Sequence, residues 1–163
     1  MALRKPLVIV AGQIEQLQAG DTLNATMTEI ETLTQTNGEA DALVIGSAVY
    51  NDAADSVKRG QANAAATSEI IGFAVAATIA TGQPATVQTS GVLEATTTQW
   101  DAMATGDSLS GGLDVGTVYY LDDAVDGEIT ATAPTAAGKY VVRLGRAIST
   151  TGLLIDIRAP ILL

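Results

Sequence analysis

Along most of the chain, apolar and β-branched residues come in short runs broken by Gly, Pro, Asn and Asp. From Ala42 onward these runs are Ala42 to Tyr50, Glu69 to Ala77, Ala85 to Thr89 and Gly91 to Ala95. Further on come Thr117 to Leu121, Glu128 to Thr132, Lys139 to Ile148 and Leu153 to Ile157. Short strands at close spacing, with turn signals between them, predict a sandwich or barrel rather than βαβ units. Tyr140, Val142 and Leu144 alternate with Val141 and Arg143, and Leu153, Ile155 and Ile157 do the same around Asp156. That period of two places these six side chains on the inward face of the last strands. Asp126-Gly127, between Tyr119-Tyr120-Leu121 and Ile129, reads as a hairpin turn. Thr96 to Met103 reads as a short helical turn with Trp100 and Met103 facing the core together.

The first 41 residues follow a different pattern. Residues 1–23 read as an N-terminal arm: a short β-type run, Leu7 to Val10, stops at Gly12, and Gly20-Asp21 marks a turn. Two readings stay open: the first strand of the domain, or an extended segment that docks on a neighbouring subunit. Residues 24–41 are polar and Thr-rich, with Leu23, Met27 and Ile30 at helical spacing, which suggests a short amphipathic helix or a coiled-coil turn; Asn37-Gly38 closes the segment with a turn signal. The expected fold is thus mainly β, a small β-sandwich or barrel-like domain over 24–163 with an extended N-terminal arm and a short helical turn.

An internal similarity divides that domain further. Gly46-Ser47-Ala48-Val49-Tyr50 resembles Gly116-Thr117-Val118-Tyr119-Tyr120, and Ile71-Gly72-Phe73-Ala74-Val75 resembles Leu144-Gly145-Arg146-Ala147-Ile148. The shared order is tyrosine, acidic turn, then apolar-Gly-x-Ala-apolar. It predicts two related β-units, 42–95 and 106–163, against the alternative of chance likeness in an Ala/Gly-rich chain.

Composition narrows the chemistry. Aromatics are 4% against 47% hydrophobic residues, so the core is built of small and branched aliphatics. Eight basic and 18 acidic residues give a net charge of −10, which repels phosphate backbones and argues against nucleic acid as a partner. The basic spots Arg4-Lys5, Lys58-Arg59, Lys139, Arg143 and Arg146 are short and interspersed, and read as fixed surface or interface charges. No stretch is a convincing signal or membrane span; Ile70 to Leu93 lacks charge but carries too many polar residues, so no membrane partner is expected.

The sequence holds no His and no Cys. Ser-His-Asp and Cys-His catalysis, and the usual zinc, copper and haem ligand sets, cannot be assembled from it. There is no phosphate-binding loop; Gly111-Gly112-Leu113-Asp114-Val115-Gly116 has the wrong spacing and precedes a strand. Asp122, Asp123, Asp126 and Glu128 crowd one turn and could bind calcium through oxygen ligands, but a solvated hairpin tip, common in acidic proteins, is the favoured explanation. Their spacing does not match an EF-hand loop. No enzyme, catalytic residue, metal or cofactor is expected.

The run from Gly111 to Leu121, its acidic Gly turn and Ile129-Thr130, followed by Ala133-Pro134-Thr135 and Gly138 to Ala147, is similar to the small β-domains of tailed-bacteriophage virion proteins. These are capsid decoration (cement or head-fibre) proteins and related tail-fibre segments. The opening Lys5-Pro6-Leu7-Val8-Ile9-Val10, with Gln13 and Gly20-Asp21-Thr22-Leu23, resembles the start of similar chains. The resemblance covers about half of the chain and rests on glycines, turns and alternation. It implies a non-catalytic structural protein on the capsid surface of a virion assembled in the host cytoplasm. Its partners would be the major capsid protein and itself, as a homotrimer. The expected capsid-binding residues are Arg4, Lys5, Leu7, Val8, Ile9 and Val10. The alternatives are a tail-fibre, baseplate or receptor-binding component, and a carbohydrate-binding module, which should show an exposed aromatic platform. The compact length, the Met1 start and the apolar Ile161-Leu162-Leu163 favour the decoration reading.

Overall fold

A computed structural model describes residues 30–163, together with the backbone of two short strands, β1 (Leu7–Val10) and β2 (Gln13–Gln16). The chain is mainly β. β3 (Thr32–Asn37), β4 (Ala48–Ala53), β5 (Ser56–Arg59), β6 (Ile70–Ala74) and β7 (Pro84–Gln88) form a closed barrel in the order β3-β5-β4-β6-β7. A short helix, α1 (Ala65–Ser68), lies between β5 and β6. Then follow β8 (Val92–Glu94), α2 (Thr97–Met103), a 3₁₀ turn at Thr105–Asp107, β9 (Val118–Leu121) and β10 (Ile129–Thr130). The last strands are β11 (Tyr140–Val141), β12 (Arg143–Ala147), β13 (Gly152–Ile155) and β14 (Ile161–Leu162). Five of these make an open antiparallel sheet, β10-β9-β12-β13-β8, and β11 pairs with β14 alone.

Several expectations are corrected. The helix expected within 24–41 is the strand β3 over its described part. Leu33 and Gln35 are half-buried and Asn37 is buried, while the Thr residues between them face outward. β-branched Thr suits that pleated outer face and disfavours a helix. Leu23 and Met27 lie outside the described residues. The run expected over 42–50 pairs as a strand only from Ala48; before it, Leu43 makes a single bridge to Ile79. The run over 139–148 divides at Val142. Ser56–Arg59 and Ile161–Leu162 are strands that the pattern did not predict.

The two units have corresponding hydrogen bonds. In the first, the Gly46 N–H donates to the Ala74 carbonyl (3.0 Å) and the Ala74 N–H to that of Ser47 (3.0 Å). In the second, Gly116 donates to Ala147 (2.8 Å) and Ala147 to Thr117 (2.9 Å). Gly46 and Gly116 both sit at positive φ, +86° and +85°, where a side chain would be strained. Each unit has a register shift at the same place. Tyr50 pairs with Ile70 and Val49 with Gly72, skipping Ile71; Tyr120 pairs with Arg143 and Tyr119 with Gly145, skipping Leu144. At the far edge, Thr89 donates to the Glu31 carbonyl (2.9 Å) and Ile155 to that of Gly91 (2.9 Å). The matching pieces therefore run from Glu31 to Thr89 and from Gly91 to Ile155. This moves the boundary expected at residue 95, because β8 belongs to the second sheet and β3 to the first.

The units differ in how they end their sheets. In the first, β3 reaches β5 in parallel, with Thr36 opposite Ser56 and Asn37 opposite Val57, and the barrel closes. In the second, the chain turns into α2 at the corresponding Thr96. Thr96 caps α2 by a reciprocal exchange with Gln99: the Gln99 N–H donates to the Thr96 hydroxyl, and the Thr96 N–H to the Gln99 side chain. Trp100 on α2 is fully buried, and its ring N–H donates to the Thr151 carbonyl at 2.8 Å.

Packing follows this difference. Leu43, Val49, Val57, Ala74, Ile79, Ala85 and Val87 fill the barrel. A second, larger core holds Trp100, Met103, Leu113, Tyr119, Leu121, Ile129 and Leu153, and Ala48, Ile70 and Phe73 from the outside of the barrel also pack into it. One core thus cements the units. Val142, Leu144, Leu153 and Ile155 are buried as the alternation predicted, while Tyr140 and Ile157 are half-buried against the same core.

Two outcomes follow. A Cβ on Gly72 would lie 2.4 Å from the Gln88 carbonyl oxygen, and one on Gly145 would lie 2.4 Å from that of Leu154. Gly72→Ala and Gly145→Ala should each push neighbouring strands apart and cost about 1–3 kcal/mol in denaturant titrations, an overpacking penalty. Burial pushes the Tyr119 hydroxyl above its ordinary value of 10.0, opposed in part by the hydrogen bond it accepts from the Asp114 amide. Its contribution to stability is complete below the unfolded value and is lost as pH rises through the higher folded one. Melting temperature should therefore fall above about pH 10, less steeply in Tyr119→Phe.

Candidate functional site

The segment expected to bind a partner is a hairpin. Leu7, Val8, Ile9 and Val10 of β1 pair antiparallel with Gln16, Glu15, Ile14 and Gln13 of β2. These two strands form a sheet of their own and join neither the barrel nor the open sheet. Leu7–Val10 is thus a strand, but it is not an edge of the body's own sheets. Arg4 and Lys5 lie outside the described residues. Among the described strands, each of the two thus has one outer edge without a partner.

The acidic turn between β9 and β10 does not gather its carboxylates. The Asp122 side chain accepts the N–H groups of Ala124 and Val125 at 2.6 and 2.9 Å, shaping the turn from within. Asp123 pairs with Lys139 at 3.4 Å and Asp126 with Arg59 at 3.7 Å, on opposite flanks. Glu128 turns inward and accepts the N–H and the hydroxyl of Thr105 at 3.0 and 2.6 Å. Four neighbours in sequence thus serve four different partners. Among the described residues, no group of three or more acidic side chains is arranged to hold a metal ion.

Asp107, which the sequence pattern did not single out, does comparable work. It accepts the Thr130 hydroxyl at 2.9 Å and the Ala131 N–H, tying the 3₁₀ turn to the end of β10. Beside it lies a polar cleft of about 310 Å³, lined among others by Asp107, Asp122, Asp123, Thr130, Thr132 and Pro134. Of its three carboxylates, Asp107 and Asp122 accept backbone N–H groups and Asp123 pairs with Lys139. A second, apolar cleft of about 270 Å³ lies between α2 and the start of the barrel, lined by Val44, Ile45, Ala77, Ala102 and Met103.

The basic spots are anchored. Lys58 pairs with Asp52 at 3.0 Å, Arg143 and Arg158 share Asp156 at 3.0 and 2.8 Å, and Arg59 also donates to the Ala42 carbonyl. Five of the six described cations thus sit in ion pairs, which leaves no basic stripe among the described residues. Of the aromatics, Trp100, Phe73 and Tyr119 are fully buried, while Tyr50, Tyr120 and Tyr140 are half-buried. No helix among the described residues is long and apolar enough to cross a membrane.

If the acidic turn is held by these separate partners alone, millimolar calcium should leave the melting temperature unchanged relative to a chelator control, because a ligand raises stability only by binding the folded state. Differential scanning calorimetry checks this. No protein-family model matches the chain, and no curated protein matches it either.

Proposed function

We propose that this chain is a non-catalytic virion protein of a tailed bacteriophage that binds the assembled capsid as a decoration or cement protein, anchored by its N-terminal hairpin. The observation that carries the reading is the separate β1–β2 sheet. A two-stranded hairpin with four residues per strand is marginal in water on its own. Such a segment gains order by adding its edge to a partner's sheet, where backbone hydrogen bonds give affinity and alternate side chains give register. In sequence, Arg4 and Lys5 come just before β1 in a chain of net charge −10, a basic pair suited to acidic groups on a shell. The rest of the molecule fits a covering role: two buried cores, with five of the six described cations held in ion pairs. The major capsid protein is the partner, the virion surface the location, and a homotrimer the working form.

Deleting residues 1–16 tests this. The truncated chain should keep the melting temperature of the full chain, because β1 and β2 pair with no strand of the body. It should lose co-sedimentation with shells assembled from the capsid protein of the same phage, and binding by the full chain should weaken as salt rises. Full shell binding by the truncated chain would remove the hairpin as the anchor. Binding of the full chain to host cells and not to shells would overturn the capsid reading in favour of a tail component.

A further inference from the structure

The two units share a cross-strand row that meets different fates. In the first unit it runs Ala48–Phe73–Gln88–Thr32 across β4, β6, β7 and β3. In the second it runs Val118–Arg146–Leu154–Val92 across β9, β12, β13 and β8. Because side chains alternate along a strand, both rows face away from the filled side of their own sheet, which takes Val49 and Val87 in one unit and Tyr119 and Leu153 in the other. The first row is already an interface: Ala48 and Phe73 are fully buried in the core shared with the second unit. The second row is open among the described residues. Leu154 is 39% exposed, and Ile148, two residues beyond Arg146 on the same strand face, is 49% exposed. The concave side of a neighbouring copy's open sheet cannot cover this row as it covers the first, because that side is occupied by the copy's own first unit.

Charge indicates what does cover it. Arg146 is exposed, and it is the one cation among the described residues that makes no ion pair. Glu94, two residues beyond Val92 and opposite Gly152, is exposed on the same face and likewise pairs with no cation. A Cβ on Gly152 would lie 2.8 Å from the Glu94 Oε1, so the glycine leaves room for this carboxylate over β13. Two strand spacings, about 10 Å, separate the backbones of Arg146 and Glu94. The nearby Arg143 and Asp156 pair with each other at 3.0 Å and neutralise themselves. The face is therefore apolar along β13, positive on its β12 side and negative on its β8 side, which makes it complementary to itself.

We infer that this outer face of the second unit is a contact between copies of the chain, with Arg146 of each copy meeting Glu94 of the next. Turned toward an axis running along β13, the β12 side of each copy meets the β8 side of its neighbour, and Leu154 lies at the centre. Two copies close such a ring as three do, so the assembly stops growing without a further surface. The inference rests on the capsid reading only for the expectation that copies associate, and its test needs no shell.

In sedimentation equilibrium the full chain should form a closed dimer or trimer. Arg146→Glu and Glu94→Arg should each raise the dissociation constant at least about tenfold by setting like charges together. The double variant Arg146→Glu/Glu94→Arg restores opposite charges and should associate to within about threefold of the full chain. Melting temperatures of the dissociated chains should be unchanged, since both side chains are exposed. The chain contains no cysteine, so Leu154→Cys gives a second readout: under mild oxidation it should form a disulfide with its own copy, and the exposed Gln83→Cys should form little. A monomeric full chain would overturn the contact, as would single variants that associate undiminished or a double variant as weak as the singles. A Leu154→Cys disulfide no faster than the Gln83→Cys control would do the same, and it decides alone if the charge variants fail to fold. Shell co-sedimentation is measured separately. A monomeric chain that still decorates shells sinks this contact and leaves the capsid reading standing, while an oligomer that these variants break and that binds no shell does the reverse.

Discussion

A curved five-stranded sheet has a concave face that must be filled or closed, and the two units meet this constraint differently. In the first, β3 swings onto β5 and backbone hydrogen bonds complete a barrel narrow enough for Ala, Val, Leu and Ile to fill. In the second, α2 takes the place of that closure and lowers Trp100 into the gap. The residue in the position of Val49 is Tyr119, a larger side chain that packs into the same core as Trp100. Close packing makes these choices interdependent: an unfilled methylene's worth of space costs contacts on every side.

The same constraint joins the units. β4 carries Val49 into the barrel and Ala48 out of it, toward Trp100, Tyr119 and Leu153. Gly46 approaches α2 so closely that a Cβ would lie 3.0 Å from Met103 and 3.3 Å from Trp100. Between the units the backbone is cross-linked as well: Ala48 donates to Gly127, Gly127 to Gly60, and Ala62 to Asp122. The acidic turn is held by this lattice, and its carboxylates are spent on shaping the chain. That accounts for a cluster that looks like a cation site in sequence and disperses in space.

The barrel satisfies its own edges, and the open sheet has α2 and the 3₁₀ turn beside it. Among the described strands, unpartnered edges remain on the β1–β2 hairpin, where the proposed capsid contact lies, and on β14, while exposed aliphatics are spread more widely, at Val115, Ile148 and Leu154 as well as Ile161 to Leu163. Both the hairpin and β14 are strand-edge surfaces on an acidic chain, and association through them needs no chemistry beyond backbone hydrogen bonding and burial.

Local pattern alone determined much of this protein. Alternation at Val142, Leu144, Leu153 and Ile155 marked the buried face of the last strands, because period two is a property of the pleat itself. The likeness of Gly46 to Tyr50 with Gly116 to Tyr120 pointed to paired pieces with shared turn glycines. The short helix within Thr96 to Met103, with Trp100 and Met103 on its buried side, was legible as well, since that spacing is local, whereas its Thr96–Gln99 cap appeared only in the structure. Only the tertiary structure decided which strands belong to which unit, that Thr32 to Asn37 is a strand, and that one unit closes while the other is plugged. Those outcomes depend on volume and on partners distant in sequence. Leu33 meets Val87 and Thr36 meets Ser56 only once the sheet has curved. The destinations of Asp122, Asp123, Asp126 and Glu128 were likewise hidden, because a carboxylate's partner is set by what folding brings within 3 or 4 Å of it, and adjacency along the chain carries no information about that.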